Sequence, residues 1–157
     1  MNMFTTEHFI WIGLCAAFIA AMCIIAGKRK MGLKQAGGIM VFICAVSEIS
    51  KMMSGMIASP GGGMHLDPLN LPLHLCSLMI FSVLYITFAK ESGLKRLLMN
   101  FTAVMGTLGS FCAIMIPTNG TDFGDILAYQ CFVYHAGLMW FSLYLIFSGN
   151  AQIGSVR

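Results

Sequence analysis

In a chain of 157 residues, 58% are hydrophobic and only 10% charged, where an ordinary soluble domain carries about 25% charged residues. So little polar surface cannot clothe a water-soluble globule, which makes the chain an integral membrane protein, and its length fits one domain, residues 1–157. The net charge of +3 forms no basic stripe, so there is no sign of nucleic acid as a partner.

Residues 1–7 are a polar lead without Lys or Arg. His8 to Gly27 reads as the first span, about 30 Å of helix and enough to cross the hydrocarbon core. It is a poor cleavable signal, because no basic residue precedes it and a basic cluster follows. Gly13, Ala17 and Ala21 recur every four residues and read as a helix-packing face. Lys28, Arg29, Lys30 and Lys34 form the first loop. The second span runs over about 35–58 and holds Glu48 and Lys51, with Ser47 and Ser50 beside them. A flexible loop, Ser59-Pro60-Gly61-Gly62-Gly63 and on to Asp67-Pro68, leads to a third span over 72–89. Pro72 suits a first helical turn, where its missing N–H costs nothing. Lys90, Glu91, Lys95 and Arg96 form a second basic loop. The fourth span, 97–116, carries a small-residue packing seam of Thr102, Gly106 and Ser110. After a turn-rich loop from Pro117 to Asp125 comes the fifth span, 126–147, with Gln130, Tyr134 and His135.

The charges orient these spans. Of nine Lys and Arg residues, four lie in the first loop, three in the third and one in the tail, while Lys51 is inside a span. The lead and the second and fourth loops have none, but hold Glu7, Asp67, Asp122 and Asp125. The positive-inside rule then predicts an all-α, polytopic transmembrane bundle of five spans, N-terminus outside and C-terminus inside.

At the mouth of the third span stands Leu71-Pro72-Leu73-His74-Leu75-Cys76. Ionisable and nucleophilic groups at such a place are costly and point to function. At about 1.5 Å per residue, Cys76 is roughly 6–8 Å below the outer surface, with His135 and Glu48 at roughly 15 Å and Lys51 one turn nearer the outside. Glu48 and Lys51 share a helix side and can pair, either as a structural ion pair or as the lining of a cavity. His74 and Cys76, two residues apart, fall on nearly opposite sides of a helix, so a base for Cys76 must come from another span. His135 is the candidate, with Cys131 and Ser142 on its face. Taken singly, a cysteine in an apolar helix packs, and a lone histidine is a hydrogen-bonded structural group; five polar groups at one depth weaken both readings. Burial disfavours a thiolate, whereas an imidazole, Lys51 and the start of the third helix favour it. The dipole adds little, because Cys76 lies past the first turn of the span. Such a pair in an outer-leaflet cavity would suit acyl transfer.

Glu48 with Lys51, the Leu-Pro-Leu-His-Leu-Cys block at 71–76, Pro117 and His135 resemble the YwaF-like family of bacterial membrane proteins, related to the animal transmembrane protein 164 acyltransferases. The resemblance covers roughly residues 40–140, and its proline–His–x–Cys block is the specific part. It implies transfer of acyl chains between phospholipids in a bacterial plasma membrane, with Cys76 as nucleophile, His135 as general base, and His74, Glu48 and Lys51 in support. It also implies six or seven spans, so five would make this chain a fragment or a shortened paralogue lacking part of the helical wall.

The alternative is a small transporter or channel subunit with Glu48, Lys51 and the histidines as a proton or ion path, although five spans without a repeat do not suit an inverted-repeat transporter. No cofactor or metal is expected. Cys15, Cys23, Cys44, Cys76, Cys112 and Cys131 lie in apolar runs without a Cys-x-x-Cys pair, which speaks against a zinc site, a disulfide framework or thiol–disulfide exchange. His74 and His135 differ by about 10 Å in depth, too much for two ligands of one haem. The expected partners are phospholipid and membrane, with a homo-oligomer left open.

Overall fold

The structure, a computed structural model, describes residues 4–54, 56–58, 64–66, 75–117 and 120–152, with backbone alone for 56–58, 64–66 and 75–77. Its elements are α1 (Thr6–Lys28), α2 (Leu33–Ser54), β1 (Met56–Ala58), β2 (Met64–Leu66), α3 (Leu75–Phe88), α4 (Gly93–Met115) and α5 (Ile126–Phe147). Side-chain oxygens cap three helix starts: Thr5 accepts from the His8 N–H, Ser92 from Lys95 and Asp125 from Leu127. The helices α1, α2, α4 and α5 are long and apolar enough to cross a membrane. The helix α3, with 14 residues, rises about 21 Å.

The core is built around α5, of whose most apolar window 67% is buried, against 17–33% for the other three long helices. The helices α1, α2 and α4 pack on α5, and α3 bridges α2 and α4. Small residues set the closest approaches. A Cβ at Gly106 would collide with the Ser142 hydroxyl, and one at Gly37 with that of Thr87. Ser142 Oγ donates to the Thr102 carbonyl at 2.9 Å, and Thr102 and Ser110 are fully buried. The seam read on the fourth span is therefore the α4–α5 contact.

Trp11 stacks on Phe132 at 4.7 Å, Gln130 bonds Ser47, and Tyr144 bonds the Met31 carbonyl. These contacts run α1 and α5 in one direction and α2 and α4 in the other. Lys28 to Lys34 and Lys90 to Arg96 thus collect at one end of the bundle, and Glu7, Asp122 and Asp125 at the other.

Four expectations are corrected. The second helix ends at Ser54, not near 58, because Met56–Ala58 pairs antiparallel with Met64–Leu66 in a hairpin (Met56 opposite Leu66). The apolar Met-Ile-Ala of β1 prolongs the helix in hydropathy, yet five residues with one proline and three glycines follow it, a connection suited to a hairpin. The fourth helix begins at Gly93 rather than 97, so Lys95 leaves the loop for its first turn. There Lys95 is buried, donates to the Ala89 carbonyl at 3.0 Å and pairs with Glu91 at 2.9 Å, satisfying the C-terminal end of α3. Gly13, Ala17 and Ala21 are exposed, with nothing within 4 Å of a Cβ at Gly13. The side of α1 that packs holds His8, Trp11, Cys15 and Ala26 instead. Finally, Cys76 is the second residue of α3 and so lies within its first turn, not past it. The expected helix start at Pro72 lies outside the described residues.

Candidate functional site

The buried stripe of α2, Ala36, Gly37, Met40, Cys44 and Ser47, continues at helical spacing into Glu48 and Lys51, both half-buried. Because α2 stops at Ser54, Glu48 is six residues from its end and Lys51 sits in its last turn, which moves both nearer the acidic end than the sequence implied. One carboxylate oxygen of Glu48 is shielded from solvent. Glu48 and Lys51, three residues apart, share a side of α2. Gln130 Nε2 donates to Ser47 Oγ at 2.7 Å and fastens this end of α2 to α5.

His135 lies mid-helix in α5, 8% exposed. Its Nδ1 is 2.7 Å from the Cys131 carbonyl oxygen and 3.6 Å from the Cys131 sulfur. A carbonyl only accepts, so Nδ1 carries the proton and Nε2 the lone pair; the tautomer is assigned from the hydrogen bond. Tyr134 meets the ring edge-on at 5.1 Å. The Nε2 atom is buried with no hydrogen-bond partner among the described residues, as is Ser110 Oγ. The α4–α5 register, Thr102 and Gly106 against Ser142 and Gly106 against Leu138, carries Ser110 to the level of Tyr134 and His135.

The backbone also relates Cys76 to Glu48. Gly37 and Thr87 meet where α2 and α3 pack antiparallel. Eleven residues along α2 from Gly37 is Glu48, and eleven back along α3 from Thr87 is Cys76. Eleven residues are close to three full turns at 3.6 per turn. Glu48 and the Cys76 backbone therefore stand at about one height along the α2–α3 pair. His74 lies outside the described residues, as do the Cys76 side chain and hence its distance from His135.

An apolar groove of about 220 Å³ opens beside this region between α2 and α5, lined in part by Phe42, Val46, Ser47, Ser50, Tyr129 and Gln130. A second, of about 250 Å³, lies between α1 and α5 beside Trp11 and Phe132. Val133 lines both, half exposed between them.

His8, which the sequence offered only as the start of a span, is fully buried. Its Nε2 donates to the Ile114 carbonyl at 2.9 Å, and its Nδ1 accepts from the Phe4 N–H at 3.2 Å. Both ring nitrogens are thus used, and His8 locks α1 to the end of α4. Trp11 adds to the lock by donating to the Thr121 carbonyl at 3.1 Å. The one local signal was Thr5 three residues before His8, a capping pattern.

Long apolar helices around a buried central one define a multi-pass membrane protein. The TMEM164 family model matches residues 3–155, and the chain belongs to that family. No curated protein and no solved structure matches it.

Proposed function

We propose that the protein is a phospholipid acyltransferase of the YwaF-like bacterial branch, one transmembrane domain over residues 1–157 with α3 as a fifth crossing. Its acidic end faces outward across a bacterial plasma membrane, following the positive-inside rule. Cys76 is the nucleophile and His135 the general base. The observation that carries this is the His135 imidazole, with Nδ1 committed to the Cys131 carbonyl and Nε2 buried without a hydrogen-bond partner among the described residues. An oriented base with one nitrogen tied down is what nucleophile activation needs.

The chemistry balances in two steps. His135 Nε2 takes the thiol proton, and the Cys76 sulfur attacks a phospholipid ester carbonyl. The C–S bond forms, the ester C–O bond breaks, and the leaving glycerol oxygen receives the proton. A lysophospholipid hydroxyl then gives its proton to Nε2 and attacks the thioester; a C–O bond forms, the C–S bond breaks, and Nε2 returns the proton to the departing sulfur. Lys51 and the first-turn amides of α3 favour the thiolate. Glu48, level with Cys76, and His74 support the site, and the α2–α5 groove receives an acyl chain.

The test is acyl exchange by purified protein between a labelled phospholipid and a lysophospholipid. Exchange lost in both Cys76→Ala and His135→Ala, with folding retained, supports the assignment; exchange unchanged in Cys76→Ala rules it out. Glu48 and Lys51 on the inward stripe of α2 favour a second function, proton or ion passage. Liposome proton flux that survives Cys76→Ala but is lost in Glu48→Gln would select it.

A further inference from the structure

At the basic end of the bundle, away from Cys76 and His135, a cavity of about 240 Å³ opens between α1 and α5. Its lining includes Cys23, Lys30, Met31, Trp140, Tyr144 and Ser148. Trp140 is fully buried, and its indole N–H has no acceptor among the described residues. An indole N–H donates only, and leaving it unmatched in an apolar setting is costly. The other polar groups do not relieve it. The Tyr144 hydroxyl donates to the Met31 carbonyl at 2.8 Å, and the Ser148 hydroxyl to the Tyr144 carbonyl at 2.6 Å. Lys30 stands exposed at the rim, on backbone with φ of 46°. That left-handed conformation is uncommon for lysine. No carboxylate is among the described lining residues. The cavity therefore offers a buried donor and a cation and calls for a ligand rich in acceptors and negatively charged.

We propose that this cavity binds the headgroup region of one anionic phospholipid. Trp140 Nε1–H donates to a glycerol ester carbonyl, and the Lys30 ammonium pairs with the phosphate. Depth supports this division. Trp140 is seven residues inside the end of α5 at Phe147, about 10 Å along the axis, where esters rather than phosphates lie. Lys30 sits beyond the last residue of α1, at the level of the phosphates. Size supports it too: about 240 Å³ is below the ~300–1,000 Å³ of sites that enclose a whole drug-sized molecule. The headgroup enters while the acyl chains stay outside along the helices. Lys28 and Arg29 add attraction for an anionic leaflet.

The experiment is native mass spectrometry of the full chain in detergent, titrated with phosphatidylglycerol, with phosphatidylcholine and inorganic phosphate as further arms. The wild type is expected to hold one phosphatidylglycerol in preference to phosphatidylcholine. Trp140→Phe, which keeps an aromatic ring but no donor, weakens both lipids about fivefold, the worth of one hydrogen bond. Lys30→Ala weakens phosphatidylglycerol alone by about fivefold. Inorganic phosphate does not displace the lipid, since it leaves the apolar part of the cavity unfilled. Thermal melting shows whether each variant is folded. Folded Trp140→Phe and Lys30→Ala that both bind like wild type overturn the proposal, as does displacement by phosphate alone. The readout is lipid retention, so its failure is distinct from a failure of acyl transfer at Cys76.

Discussion

His135 Nδ1 lies 2.7 Å from the Cys131 carbonyl oxygen, one turn back along α5. A mid-helix carbonyl cannot give up a proton, so the bond holds one tautomer, with the lone pair on Nε2, the atom proposed as the base. His135→Gln is expected to lower acyl transfer by about 10²–10⁴-fold, the usual worth of a positioned base. Initial rates of labelled acyl exchange in nanodiscs measure this. A rate within threefold of wild type removes His135 from the chemistry.

The orientation is tested by labelling. In a variant without native cysteines, Asp122→Cys at the acidic end should react with an impermeant maleimide added to intact cells. Arg29→Cys at the basic end should react only after lysis, as the distribution of Lys and Arg requires. The opposite pattern reverses the assignment and takes the proposed site to the other leaflet.

Gly106 allows α4 and α5 to close over Ser142. Gly106→Ala is expected to cost about 1–3 kcal/mol through overpacking. Ser142→Ala alone should cost about 1 kcal/mol for its bond to the Thr102 carbonyl. The double variant should be more stable than the sum of the two, because removing the hydroxyl makes room for the methyl. Chemical denaturation in detergent gives the coupling, and strict additivity would mean that the helices separate instead.

His8→Phe keeps an apolar ring but leaves the buried Ile114 carbonyl without its donor. The expected loss is about 1–3 kcal/mol of stability. Activity per folded molecule should be unchanged, since His8 fastens α1 and lies outside the proposed chemistry. Melting temperature and specific activity on the same preparation separate the two effects.

Composition and hydropathy alone established a membrane protein of long apolar helices, because sparse charge admits no other solvent. The start of the last helix at Ile126 was readable because a turn-rich loop runs up to Asp125, which the structure shows to be its cap. Which face of each helix packs was not readable. Gly13-Ala17-Ala21 and Thr102-Gly106-Ser110 carry the same spacing, yet the first lies on the surface and the second in the core. Both sides of a lipid-embedded helix are apolar, and small residues permit contact without attracting it, so partners elsewhere in the chain made the choice. For the same reason the burial of His8 depended on a carbonyl more than a hundred residues away. The imidazole of His135 could be nominated from its place in an apolar span, but the local backbone bond that commits Nδ1, and the helices that enclose the ring, exist only once the chain is folded.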